Sequence, residues 1–408
     1  MSERLTTEQV DYFLHPRCVR ERSLKLFNQM LSGKGHWTLD LEQLPACADY
    51  VVATIKKNYP SFEIPFHSRR GHLRAGGLDR VEKLRTALPK DEQLIAEYDL
   101  IITSVFVDAG AGDVWTYKGS DGKEYSRSEG LAVASFDAFE KGLYSSSKER
   151  LLQVTPDGLN ALNKESFEEC FQSTSSNPLL GIETRLQMLK KIASCMHKGP
   201  EFFLHNGRLR LGHLGHYLKK QSKNSKLQAS EILKTVLLAF EHMWPERQKI
   251  SPIRFGDIWN YSRWSERPRF DSLIAFHKLS QWLSYSLMEA LQDEGIEILN
   301  LDDLTGLPEY RNGGLFVDLK VIQAKEASTL SKGLSPDDDA ILEWRAATVT
   351  LLDRIAPLVR ERLGMNAQKL PLVKILEGGT WSSGRRSAQE FRNTSASPIN
   401  IISDGSVF

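Results

Sequence analysis

The stretch Thr305-Gly306-Leu307-Pro308-Glu309-Tyr310-Arg311-Asn312-Gly313-Gly314-Leu315-Phe316-Val317-Asp318-Leu319 sets a carboxylate, a phenol, a guanidinium and a carboxamide on four consecutive residues. Pro308 biases Leu307 away from the helical region, and the pair Gly313-Gly314 permits a tight or left-handed backbone. Such punctuation predicts a turn packed against the rest of the fold, with its polar groups held in place. Two readings are open. One is a helix–loop–helix corner containing a buried Glu309–Arg311 pair. The other is a carboxylate held beside an arginine at the mouth of a pocket.

Outward from this corner the apolar spacing is that of helices. Helices are predicted over about 19–31, 42–57, 94–107 and 131–143, over 182–196 with Asn177-Pro178 as its cap, from Ser230, and over about 272–291. The last long helix is predicted to start at Ser335-Pro336-Asp337-Asp338, with a hydroxyl cap, Pro at the first position and acids in the first turn. Hairpins are predicted at Val114–Tyr125, around Gly119-Ser120-Asp121-Gly122, and at Phe202–Leu211, around Asn206-Gly207. The fold class expected is mainly α with minor β hairpins. It would form one domain over 1–408, or two lobes about a cleft at roughly 1–265 and 266–408. The apolar tail Pro398–Phe408 is expected to dock.

Composition narrows the function. The 408 residues are 41% hydrophobic and 26% charged with net charge +1, so duplex nucleic acid is not an expected partner. Cys18, Cys47, Cys170 and Cys195 show no Cys-x-x-Cys spacing, which argues for a reducing compartment and against structural zinc. With no apolar leader and no span-length apolar run, a cytoplasmic protein that does not meet the membrane is expected.

Several clusters carry candidate chemistry. Asp108-Ala109-Gly110-Ala111-Gly112-Asp113 follows a helical pattern rather than a strand, which argues against a dinucleotide loop and for a helix-ending loop near a pocket. Trp115, opening the next hairpin, joins the substrate-binding candidates. His213 and His216 lack a third ligand at a recognisable spacing, and Asp337-Asp338-Asp339 reads as helix capping, so neither is taken as a metal site. His67, Arg69, Arg70, His72, Arg74 and Arg80 suit a phosphate or carboxylate, or form a solvated basic loop. Arg385-Arg386 is a second such candidate. Glu343 and Arg345 are candidate partners for Glu309 and Arg311.

Taken together, Phe66-His67-Ser68-Arg69-Arg70-Gly71-His72, Asp108-Ala109-Gly110-Ala111-Gly112, Leu307–Gly314, Gly378-Gly379-Thr380-Trp381 and Ile399-Asn400-Ile401-Ile402-Ser403-Asp404-Gly405 resemble the uracil-catabolism protein family over nearly the whole chain. That family is associated with pyrimidine degradation through a ribosylurea-type intermediate that yields urea. More distantly, Phe276–Gln281, Tyr310-Arg311 and Glu343–Ala346 are similar to the queuosine-salvage nucleotide glycosidases. This second resemblance implies a DNA-glycosylase-like helical fold with a central cleft. An Asp precedes the Tyr-Arg pair in those enzymes; here the position is Glu309, one methylene longer.

The resemblance implies hydrolysis of an N-ribosyl bond. Glu309 would stabilise the cation developing on the sugar and position water, and Asp108 would protonate the leaving urea. His67, Arg69, Arg70, His72, Trp115, Tyr310 and Arg311 would bind a nucleoside- or nucleotide-derived small molecule, Arg311 also holding Glu309 ionised. No metal or redox cofactor is expected. An amidohydrolase cutting the urea moiety and a non-catalytic metabolite-binding or partner protein are the alternatives.

Overall fold

The computed structural model describes residues 4–108, 110–247 and 250–402. It is mainly α. The chief helices are α1 (Pro16–Leu31), α2 (Leu44–Asn58), α3 (Arg69–Leu73), α4 (Lys90–Phe106), α5 (Arg127–Glu140), α6 (Ile182–Lys198), α7 (His213–Gln221), α8 (Ala229–Ala239), α9 (Lys278–Asp293), α10 (Tyr310–Asp318), α11 (Asp339–Leu363) and α12 (Ser382–Arg392). Strands come only in pairs among the described residues. β1 (Trp37–Leu39) pairs with Ile322–Ala324, and at the two predicted hairpins β2 (Thr116–Lys118) pairs with β3 (Glu124–Ser126) and β4 (Leu204–His205) with β5 (Arg208–Leu209). Asn206 and Gly207 both take positive φ, as a tight hairpin turn requires.

The chain forms two compact units. The first comprises Met1–His67, Trp244–Trp282 and Asn300–Phe408; the second comprises Ser68–Met243 and Leu283–Leu299. In the first, α11 packs on α1 and α2, and α10 packs on α12 and α11. Apolar positions of α11 from Ala340 to Val359 make it the spine of this core. In the second unit α4 is buried along its length from Leu94 to Phe106 and packs against α5 and α7. Glu97 and Asp99 lie on that buried stretch. Arg85 and Arg70 neutralise Glu97 at 2.7 and 3.5 Å, and Arg210 neutralises Asp99 at 2.6 Å, as charges taken out of water require.

Several local expectations are corrected. Leu273–Ala275 is a strand paired with Ile258–Asn260, and α9 starts only at Lys278. The short apolar run Leu273–Phe276 suits either element by its spacing, and Ile258–Asn260 supplies the sheet partner that makes it a strand. Asn177 is not a helix cap. Its amide bridges Thr116 and Gln172, tying the β2 strand to the following loop, and Gly181 with positive φ precedes α6. The cap of α11 is Asp338, whose carboxylate accepts from the Ala340 amide, three residues beyond the Ser335 expected. Gly313 and Gly314 lie inside α10 in helical conformation, so they serve close packing rather than a left-handed turn. A Cβ at 313 would lie 2.5 Å from the Trp344 ring. The tail docks through hydrogen bonds between Leu334 and both Asn400 and Ile402, while Ser403–Phe408 lie outside the described residues, as does Ala109.

Candidate functional site

The corner at Thr305–Arg311 is pinned from several sides within the first unit. Gln281 grips Thr305 twice, accepting from its amide at 2.7 Å and donating to its hydroxyl at 2.8 Å. Arg345 donates to the Pro308 carbonyl and is held by a two-pronged ion pair to Asp257 at 2.8 and 2.7 Å. Burial alone would raise the Asp257 carboxyl, yet the Arg345 guanidinium brings it down to about 2. Trp344 donates to the Gly313 carbonyl. Glu343 serves elsewhere, accepting from Tyr261 and the His36 amide.

Glu309 caps α10. One carboxylate oxygen accepts from the Arg311 amide at 2.9 Å and the other from the Asn312 amide at 2.7 Å, so the anion sits on the exposed donors at the positive end of the helix. It is 7% exposed, and no cation pairs with it among the described residues. The Glu309–Arg311 ion pair expected from the sequence does not form. The Arg311 guanidinium lies instead over Trp381, 4.9 Å from the ring centre, and over Tyr310, at 5.2 Å. Although the residue is only 8% exposed, its guanidinium has no carboxylate partner among the described residues. A guanidinium held this way has donors to offer a ligand oxygen.

Trp381 ends a π-helical segment, Leu376–Trp381, a rare turn that often marks functional sites. Glu377 is the second residue of this segment. Its carboxylate meets Nδ1 of His67 at 2.7 Å, and the His67 ring lies 5.5 Å from Trp381. Burial and the Glu377 carboxylate together push the Tyr59 phenol up to about 12. Glu309, Arg311, Trp381, His67 and Glu377 thus form one linked cluster within the first unit. Glu377 is absent from the sequence candidates; its position directly before the motif Gly378-Gly379-Thr380-Trp381 is the available signal.

The other predicted residues belong to the second unit and have structural partners there. Asp108 forms an ion pair with the fully buried Arg69 at 3.0 Å and accepts from the Ser128 hydroxyl, so it balances charge instead of standing ready to donate a proton. Arg69 also donates to the carbonyls of Ser104 and Ser128 and meets the ring of His72 at 3.1 Å. Arg70 is committed to Asp293 at 2.5 Å and to Glu97. Neither guanidinium is available to a phosphate. Trp115 is a core residue, 1% exposed, its indole N–H donating to the Phe171 carbonyl. In the first unit Arg386 pairs with Glu390 at 2.7 Å and covers Tyr50.

A concavity of about 410 Å³ in the second unit is lined by Ser147, Arg150, Gln153, Asp157, His197 and Arg208, among others. It offers no Trp, Tyr or Phe face, and Arg210 beside it is neutralised by Asp99 and Glu92. His213 and His216 gain a third imidazole, His205, with ring centres 4.6–5.8 Å apart. Even so, no group of three His, Cys, Asp or Glu side chains among the described residues is placed to hold a metal ion. No helix among them is long and apolar enough to cross a membrane, and all four cysteines are free.

Fold and site together define a mainly α protein whose polar cluster is built on one helix N-terminus and one π-helical turn. The chain belongs to the family described as a protein of unknown function, DUF1688, whose model matches residues 12–408. It is 37% identical over 417 residues to Protein urg3 of Schizosaccharomyces pombe, which spans 99% of this chain and 100% of that protein. It is 34% identical over 439 residues to Uracil catabolism protein 4 of Lachancea kluyveri, covering 98% and 99% of the two chains. The resemblance to the uracil-catabolism family is borne out.

Proposed function

We propose that this protein acts in uracil catabolism as an N-ribosyl hydrolase, cleaving ribosylurea or its 5′-phosphate to urea and ribose or ribose phosphate. The name of the Lachancea kluyveri relative supports the pathway. The observation that carries the chemistry is Glu309: a nearly enclosed carboxylate fixed by two backbone amides and left without a cation. As the C1′–N bond lengthens, positive charge develops on the ribose ring, and a preorganised anion that needs no rearrangement stabilises it. The same carboxylate orients the attacking water. Arg311, lying over Trp381, takes an anionic or carbonyl oxygen of the substrate.

Urea release decides the matter. Wild-type protein incubated with ribosylurea and with its 5′-phosphate is expected to release urea from at least one. Glu309→Gln, which keeps shape and one cap acceptor, is expected to retain binding and lose turnover by about 10²–10³-fold. Wild type that binds either compound without releasing urea makes this a binding protein and overturns the reading.

A further inference from the structure

The bond to be broken leaves electrons on a poor leaving group. Urea does not depart as an anion near neutral pH, so a proton must reach its nitrogen as the C1′–N bond breaks. Asp108, the sequence candidate, is spent on Arg69 in the second unit. The cluster around Glu309 holds another donor. Building on the proposed hydrolase reading, we infer that His67 is the acid that protonates the departing urea and that Glu377 is its positioning residue.

The geometry is that of a histidine set for one task. Ionised Glu377 can only accept, so its 2.7 Å contact places a proton on Nδ1 of His67 and leaves Nε2 as the atom whose proton comes and goes. Nε2 has no partner among the described residues. The ring is otherwise immobilised: the His67 amide donates to the Val373 carbonyl, and Trp381 lies against its side. Among the titratable and charged groups linked to this pair are Tyr59, which hydrogen-bonds to Glu377, and Arg311, which lies over the same Trp381. The π-helical turn matters here because it presents Glu377 and Trp381, four residues apart, to the same histidine. A carboxylate behind an imidazole fixes its tautomer and orientation, as in catalytic His–carboxylate pairs on unrelated folds.

The step balances without a co-reactant. Water oxygen bonds to C1′, the C1′–N bond breaks, and its electron pair stays on urea nitrogen. Nε2 supplies the proton that makes neutral urea, and the proton lost by water returns the imidazole to its starting state through Glu309 or solvent.

The test compares leaving groups. 4-Nitrophenyl β-D-ribofuranoside departs as a stable phenolate and needs no acid, whereas ribosylurea does. His67→Gln is expected to slow urea release by about 10²–10⁴-fold and to slow the aryl riboside far less. Glu309→Gln is expected to slow both. Glu377→Gln is expected to cost about 10- to 100-fold on urea release and to shift the alkaline limb of the pH–rate profile, which a purely structural residue would leave in place. Equal losses on both substrates for His67→Gln overturn the inference. Should wild type reject the aryl riboside, the pH profile decides alone: an alkaline limb that survives in His67→Gln also overturns it. Wild type that hydrolyses neither substrate removes the hydrolase reading itself, a different failure.

Discussion

Arg311 is a guanidinium buried against two aromatic rings with no anion to answer it among the described residues. Such a group has donors to offer an incoming anion. Arg311→Met keeps the contact with Trp381 and removes the charge. It is expected to leave the melting temperature unchanged or higher while raising KM about 10- to 100-fold, read from urea release against substrate concentration. Asp257 makes the opposite case, a carboxylate whose only compensation is its pairing and hydrogen bonds. Asp257→Ala strands Arg345 and is expected to cost about 3–5 kcal/mol in urea unfolding. Because the folded carboxyl titrates near 2, below its unfolded value, the stability it contributes is complete above about pH 4 and is lost as pH falls toward 2.

At the scale of elements, α10 approaches its neighbours more closely than side chains allow. A Cβ at Gly384 on α12 would stand 2.1 Å from the backbone oxygen of Arg311, and one at Gly313 would stand 2.5 Å from Trp344. Alanine would strengthen an isolated helix by roughly 1 kcal/mol at either position. Here the clash reverses the sign: Gly313→Ala is expected to destabilise by about 1–3 kcal/mol. Gly384→Ala meets backbone, which cannot swing aside. It is expected to cost more in thermal unfolding and to lower kcat/KM as well, since it displaces Arg311. Equal stability for Gly384→Ala and wild type would show that α10 and α12 are less tightly apposed.

At the scale of the whole molecule, the acid response has a second source, in the second unit. Burial first, then Arg210, His216 and His205, lower the His213 pKa to about 4. Lys219, Lys220 and Glu92 face the neighbouring His216. The unfolded chain takes up that proton near pH 6.5, before the folded one, so this stability is complete above about pH 6.5 and drains away toward pH 4. Amide exchange in α7 and the β4–β5 hairpin is expected to quicken over that window, and less so in His213→Gln. An unchanged exchange rate from pH 7 to 5 contradicts this.

The helices and both hairpins were legible because their causes are local. Apolar spacing along Leu94–Phe106 and the Asn206-Gly207 turn act within a few residues of themselves. Boundaries were read less well where a distant partner intervened, as when Ile258–Asn260 drew Leu273–Ala275 into a strand. The motif Glu309–Arg311 was visible as a polar corner, but its internal ion pair was not there to be found. Which charges are answered and which are left open was settled only by tertiary structure. Arg345 finds Asp257 eighty-eight residues away, and His67 finds Glu377 across 310. Pairing of that kind depends on which side chains the folded core brings together out of water, and no local spacing encodes it.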